Sequence, residues 1–558
     1  MLLTATATLT ATAQQYSYAF GGLLADRDRL STADIFSLAN YESGFGTARS
    51  MAMAGAFTSL GADLTSISLN PAGLGMYRGS EVALTPMVTF TSATNNSPVN
   101  LSNSTSRFAL GSTGVVFNAY EGTGSVLSVN IGLGYNRIAD YNSQYSFVRG
   151  NSPSTLAGMF ARQLDAYGIG INSSGRIADI YNGREYTDFD LSSRLWGGVL
   201  AYKCGLLNKF GDAWGLDEYP QSFTTDQYTT VTSRGSAGEY SFAFGMNISN
   251  KFYVGASLGL LHISRKTTVS YGENIYPDGN VDPAATPYLM RYFDYAQWSE
   301  VSGTGVNFKI GFTWRPIDAL RIGIALHTPT YYSLDFSYGA GMDSASESIG
   351  SNPGGYQLEN GFVYASEGTP RIEDRGADSW EMSSPTRLMF GVSYTIGKSS
   401  IVSVDYERDW YNGIRMSNMP YVFSTSDYNS YFSAAFKGSN TLRIGLETKV
   451  TPRLSLRAGY GYNGSMLRGS SSDDELYASP VVYASNIYTA GIGFAISPRV
   501  SLDAAYQYVS SRLTDYRLFY AYAYDAGNIY VDSASDYSGL CSTKLARSNV
   551  ALTLGIKF

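Results

Sequence analysis

The sequence predicts an all-β protein: a transmembrane antiparallel β-barrel of about 14 strands with an N-terminal plug inside the lumen. Three observations predict it. From Glu81 to the end of the chain, apolar and polar residues alternate with period two in segments of about 10 to 15 residues, the pattern of strands with two different faces. Very short, turn-forming connectors alternate strictly with long polar ones. The composition sets 59 Gly, 45 Tyr and 27 Phe against 15% charged residues and 2 His, a balance rich in strand formers and interfacial aromatics.

The bulk numbers exclude several classes. At 558 residues a soluble chain would ordinarily divide into domains, but a membrane barrel grows with strand number and loop size. The net charge is −7 with a pI near 5.1 and there is no Lys/Arg-rich run, so nucleic acid is not an expected partner. Cys204 and Cys541 are the only cysteines. Their spacing excludes a structural zinc or iron-sulfur site and leaves two readings open, free thiols or one disulfide. No metal and no cofactor is expected.

Residues 1–13 form a small apolar run that ends Ala11-Thr12-Ala13, the small-x-small pattern of secretory cleavage, without the charged start of a complete signal. Beyond it no stretch of about 18 uncharged apolar residues occurs, which argues against a transmembrane helix. Residues 14–80 lack alternation, are rich in small side chains and carry a helix-like stretch from Thr47 to Ala56. They read as the plug that a wide barrel needs, with a periplasmic extension as the alternative.

Residues 81–558 carry the barrel. Strands are expected to begin near Glu81, Ser106, Ser125, Ser236, Phe252, Ser302, Ala319, Pro385, Ser400, Asn440, Leu454, Asn486, Val500 and Asn549. Tight turns fall at Glu121-Gly122-Thr123-Gly124, Ser249-Asn250-Lys251, Pro316-Ile317-Asp318, Gly397-Lys398-Ser399, Thr451-Pro452-Arg453 and Ser497-Pro498-Arg499. The longest connector runs from about Tyr141 to Gly235. In the last strand Val550, Leu552, Leu554, Ile556 and Phe558 share one side and Ala551, Thr553, Gly555 and Lys557 the other. A terminal aromatic closing such a strand resembles the signal by which outer-membrane barrels are recognised for assembly. A soluble β-sandwich would also alternate, but Arg443, Glu447, Asp405, Glu407 and Asp503 on the second face suit a lumen and not a sandwich core.

One stretch of the N-terminal region is more specific. Arg49-Ser50-Met51-Ala52-Met53-Ala54-Gly55-Ala56-Phe57, then Gly61-Ala62-Asp63, then Asn70-Pro71-Ala72-Gly73-Leu74, is similar to the N-terminal hatch of the FadL/TodX family of outer-membrane transport proteins. Ala52 and Ala54 depart from that pattern, which usually has Gly there; the change favours the helix reading. The resemblance implies a 14-stranded barrel in the outer membrane of a Gram-negative bacterium, passive diffusion of long-chain fatty acids or other hydrophobic molecules, and an opening that follows hatch movement. It makes Asn70, Pro71, Ala72 and Gly73 the candidate hatch and gating residues. Asn70 and Pro71 are suited to fixing a turn beside the wall, since Asn bonds its local backbone and Pro sets φ.

An apolar solute also needs a landing site. Leu156, Met159, Phe160 and Leu164 share a helical face in the longest connector, and Leu195, Trp196, Val199 and Leu200 form a second apolar cluster. Phe160, Leu164, Leu195 and Trp196 are the candidate ligand-binding residues; the alternative is that the two clusters pack on each other and cap the barrel. Enzymatic readings have little to stand on. His262 and His327 lie in alternating strands without a paired nucleophile, Gly168-Ile-Gly170 and Gly491-Ile-Gly493 lack a strand-turn-helix context, and Asp473-Asp474-Glu475 reads as a loop tip. Glycines inside strands are expected where a plug approaches the wall.

The expected partners are membrane lipids, lipopolysaccharide and a hydrophobic small molecule. A competing reading makes the barrel a scaffold in an outer-membrane protein secretion or assembly complex, with the Tyr-rich loops Tyr411 to Tyr431 and Tyr516 to Tyr537 as contact surfaces.

Overall fold

The computed structural model describes residues 17–24, 32–42, 45–97, 99–173, 177–179, 195–284, 286–349, 355–365, 380–418, 425–468, 482–525, 528–530 and 538–558. The expected signal segment 1–13 and the acidic run 473–475 lie outside them.

Fourteen antiparallel strands close into one barrel. In chain order they are β1 (Glu81–Ser97), β2 (Val99–Glu121), β3 (Val126–Asp140), β4 (Phe223–Ile248), β5 (Phe252–Pro277), β6 (Tyr288–Ile317), β7 (Leu320–His327), β8 (Arg387–Ile396), β9 (Ser400–Trp410), β10 (Gly438–Lys449), β11 (Leu454–Asn463), β12 (Val482–Ala495), β13 (Val500–Leu513) and β14 (Leu540–Lys557). Each pairs with its sequence neighbours, and β14 closes on β1 with Glu81 opposite Lys557. The expected tight turns join the strands at one end of the barrel.

Alternation decides which face meets which medium. Val550, Leu552, Leu554 and Ile556 are exposed on the outside, while Ala551 and Thr553 between them are buried. Asp405, Glu407, Arg443 and Glu447 are buried on the inner face, 5% exposed or less, which removes the sandwich reading. Three of these charges are ion-paired, and Asp405 accepts a backbone N–H from Thr58. Glu407 accepts from Arg387 and Arg443, and Arg457 donates to Glu447 at 2.6 Å and to Asp503 at 2.6 Å. Such pairing is what lets ionised groups sit out of bulk water.

Several strands run past the apolar band, and here the sequence expectation needs correction. The connector expected from Tyr141 to Gly235 is shorter, because Ser143–Ser152 and Phe223–Ile248 are strands. Above the bilayer both faces of a strand meet polar surroundings, so the hydropathy alternation fades while the β-branched and aromatic residues that favour strands persist. Helices α1 (Thr32–Ala39) and α2 (Ala48–Ala52) precede the barrel strands, and at the same end as these extensions helices α3 (Leu156–Ala166) and α4 (Trp196–Lys203) pack together. A Cβ at Gly197 would fall 2.2 Å from the Phe160 ring, so the helices touch through glycine. Ser17–Gly21 pairs with Tyr520–Asp525 in the connector between β13 and β14.

Candidate functional site

The residues from Phe45 to Tyr77 fold as a series of capped turns. Helix α2 (Ala48–Ala52) begins at Thr47, whose hydroxyl accepts from Ser50 N at 3.2 Å and donates to Asp63 at 2.8 Å. Asp63 caps the 3₁₀ turn Leu64–Ile67, and Asn70 caps the next one, Pro71–Met76, by accepting from Ala72 N at 3.1 Å. Each cap satisfies an N–H that a helix start leaves without an internal partner.

The helix is shorter than the Thr47–Ala56 stretch suggested. The chain turns at Ala54 and Gly55, with φ of 54° and 74°. Alanine at Ala54 therefore does not favour a longer helix. It occupies a left-handed position that glycine would adopt more easily.

These turns touch inward-facing wall residues around the ring, and glycines make the approach possible. A Cβ at Gly255 on β5 would lie 2.4 Å from the Pro71 carbonyl, at Gly323 on β7 2.3 Å from Thr58 O, at Gly459 on β11 2.6 Å from the Met53 carbonyl carbon, and at Gly491 on β12 2.4 Å from Ala52 Cβ. At the first three positions backbone meets backbone, and at Gly491 the wall backbone meets the Ala52 methyl group. Polar bonds add to this contact. Ala48 N donates to Thr553 at 2.7 Å, Thr58 N to Asp405 at 2.6 Å, Asn70 Nδ2 to Thr313 Oγ1 at 3.5 Å and Asn130 Nδ2 to Leu74 O at 2.8 Å, while within the segment Asn70 Nδ2 also donates to Thr58 O at 2.5 Å. Arg49 reaches Glu447 at 2.9 Å, and His327 bonds Leu69 O at 2.8 Å. All four of Asn70, Pro71, Ala72 and Gly73 are buried in this contact.

Elsewhere the wall is interrupted. The β2–β3 ladder runs only from Glu121 opposite Ser128 to Ser112 opposite Asn136. Above that point β2 pairs with β1 alone, and β3 with its continuation Ser143–Ser152 pairs with β4 alone. Two strand edges thus face each other across a seam. Tyr141 and Asn142 interrupt β3 there, and opposite them Gly235 has φ 129°, a position where a Cβ would fall 2.1 Å from Ser264 O.

A backbone edge inside a barrel still needs partners. Glu42 supplies them on β3: its N–H donates to Ile138 O at 2.9 Å and its carboxylate accepts from Asp140 N at 3.0 Å. Arg547 on β14 donates to Asp140 O at 2.8 Å and to Glu42 at 2.5 Å. Side chains also bridge the seam. Arg107 donates to Asn142 at 2.8 Å, Asn103 to Ser146 Oγ at 2.8 Å and Asn95 to Ser146 O at 2.7 Å. Burial holds the Glu42 carboxyl above its usual range, with Arg547 pulling the other way.

Behind the seam lies a cavity of about 140 Å³. Leu23, Asp34 and Glu42 of the N-terminal segment, Ala139 to Tyr141, Arg265 and Arg547 are among its walls. Arg265 donates to Asp34 at 2.8 Å and stands 5.9 Å over the Tyr141 ring.

The family model described as Outer membrane protein transport protein (OMPP1/FadL/TodX) matches residues 213–517, more than half of the sequence. The chain belongs to this family. It is therefore an outer-membrane β-barrel of a family that transports hydrophobic compounds. The match falls in the wall and loops, outside the Arg49–Leu74 stretch, so the two signals are separate. Among solved structures the chain is similar to a Pseudomonas aeruginosa FadL homologue, at 13% identity and a TM-score of 0.49, covering 93% of this chain and 100% of that one. It is similar also to the Pseudomonas putida toluene transporter TodX (13%, TM-score 0.48, 93% and 100%) and the Ralstonia pickettii toluene transporter TbuX (14%, TM-score 0.46, 92% and 98%). No curated protein matches the sequence.

The candidate ligand-binding residues come together elsewhere. Phe160, Leu164, Leu195 and Trp196 are all buried, 6% exposed or less, in the core between α3, α4 and neighbouring strands, with Phe160 edge-on to Tyr295 at 5.4 Å. The two clusters face each other, and these side chains are buried between them. Sequence reasoning missed Glu42, Tyr141, Arg265 and Arg547. Arg547 carried a signal, since it continues the inward series Asn549, Ala551, Thr553 one step beyond the expected strand start.

Proposed function

We propose that the protein is a passive channel for small hydrophobic molecules, in which residues 14–80 are the plug and the seam between β2 and β3 is the lateral way out of the lumen. The break in the β2–β3 ladder, with a cavity directly behind it, carries this reading. An apolar solute gains nothing from an aqueous exit; an opening in the wall delivers it to lipid, where its transfer free energy is favourable. The turn at Asn70, Pro71, Ala72 and Gly73 is the point at which the plug yields in this reading, since at Gly255 it seats against bare wall backbone with no wall side chain interlocked. Phe160, Leu164, Leu195 and Trp196 meet the solute only when α3 and α4 part. Lipid and lipopolysaccharide contact the exposed aromatic outer face. Long-chain fatty acids are one candidate cargo and single-ring hydrocarbons another, the latter supported by the volume behind the seam.

The test is a reversible lock on the seam. Asn103 and Ser146, whose side chains are 2.8 Å apart at the closest atoms, are replaced together as Asn103→Cys and Ser146→Cys. Oxidation should slow entry of labelled toluene into cells carrying the barrel at least about tenfold, and reduction should restore it. Unchanged entry with a formed cross-link would refute the lateral route.

A further inference from the structure

The cavity behind the seam has a chemistry that a hydrocarbon channel does not need. Its volume of about 140 Å³ is close to the roughly 150 Å³ of an apolar protein cavity that holds benzene, and well below the range of about 300–1,000 Å³ of pockets for larger ligands. The space fits one ring.

Its walls are of two kinds. Val482 and Leu513 are register partners on β12 and β13, and Leu545 lies on the adjoining β14, so these three form one apolar patch. Asp34, Glu42, Arg265 and Arg547 supply a polar part built of two ion pairs. A hydrocarbon filling this space would strip water from those pairs and replace it with nothing, a cost that a solute oxygen avoids.

Charge balance selects among polar solutes. Asp34, Glu42 and Asp140 are matched by Arg265, Arg547 and Arg137, the last donating to Asp140 at 2.9 Å. No cation is in excess to hold an anion. Two hydrogen-bonding groups on the wall are left over among the described residues, Arg547 Nε, on a guanidinium already neutralised by Glu42, and the one neutral group, the Tyr141 hydroxyl. Tyr141, 9% exposed, has its hydroxyl buried without a partner among the described residues. A buried donor with no partner is uncommon enough to require a reason, and a visiting acceptor is one.

We propose that the cavity takes a neutral single-ring solute bearing one oxygen, of the phenol class, with its ring on the Val482, Leu513 and Leu545 patch and its oxygen bonded to Tyr141. This rests on the channel reading and names the cargo of its inner site.

The test compares 4-methylphenol, toluene and benzoate by calorimetry on the full-length protein in lipid nanodiscs. Toluene is the same skeleton without the oxygen, and benzoate carries a charge. The wild type should bind 4-methylphenol about three- to tenfold more tightly than toluene, and benzoate least. Tyr141→Phe should abolish the preference while leaving toluene affinity and thermal stability unchanged or higher. Leu545→Trp, which fills the cavity, should weaken both neutral solutes. Equal or tighter toluene binding, a preference for benzoate, or selectivity indifferent to Tyr141→Phe would overturn the proposal. Uptake of labelled toluene separates the two readings: if it persists, only the cargo assignment falls, and if it is absent along with all binding, the channel reading falls too.

Discussion

Substitution of a single wall glycine should release the N-terminal segment from the barrel without harming the barrel. At Gly255→Ala the new Cβ would stand 2.4 Å from the carbonyl carbon and oxygen of Pro71 and 2.7 Å from Ala72 N, against ordinary contact from 3.4 Å. These are backbone atoms, so no rotamer change relieves the overlap, and the Asn70–Gly73 turn must move by about 1 Å. That displacement stretches the bonds that Asn70 Nδ2 donates to Thr313 Oγ1 and Asn130 Nδ2 donates to Leu74 O, both between segment and wall and both buried. At about 0.5–1.5 kcal/mol for each lost bond, docking weakens by about 1–3 kcal/mol. The undocked fraction then rises by about 5- to 150-fold. Planar-bilayer conductance reads the change directly, because an undocked segment leaves a water path, and the heat-dependent shift in gel mobility reports whether the barrel itself is intact. The expected result is frequent opening with an unshifted barrel transition. Wild-type conductance from a folded Gly255→Ala barrel would refute the close-approach account.

Three further outcomes follow from the same contacts. Ala54→Gly relieves a left-handed alanine and should stabilise docking of the segment by about 1 kcal/mol, seen as fewer openings than wild type. Arg49→Met removes a half-buried partner of Glu447 that also lies 5.3 Å from the Phe57 ring; because Arg457 still pairs with Glu447, the loss should be about 1–3 kcal/mol and should show as openings that increase at neutral pH. Cys204 and Cys541 are both buried and are not joined in a disulfide, and burial pushes the Cys204 thiol up to about 12, so maleimide should label neither in the folded protein and both after unfolding in detergent; no label after unfolding would indicate a disulfide.

The strands and their turns were legible because a membrane wall forces the period-two pattern on every strand: Val550 to Phe558 could be sorted into faces by inspection. Mid-strand glycines such as Gly491 were legible as points of close approach. What failed to show was pairing. The seam exists because backbone groups of β2 and β3 do not meet above Ser112, and hydropathy says nothing of which edges pair. Tyr141 and Asn142 looked like the start of a loop, although the chain resumes as a strand one residue later. Glu42 and Arg547 are some five hundred positions apart in the chain, so their joint hold on Asp140 is a property of the closed barrel alone. In the helical clusters around Phe160 and Trp196, periodicity identified the apolar faces correctly but could not tell a face turned to solvent from one turned to its partner.

The most direct test of the central claim is the initial rate at which intact Gram-negative cells take up labelled toluene at micromolar concentration, with and without this barrel in their outer membrane. A rate that rises with the barrel, is linear in concentration and survives collapse of the cell's energy supply is what passive passage through the seam predicts. A rate that is the same with and without the barrel would contradict it.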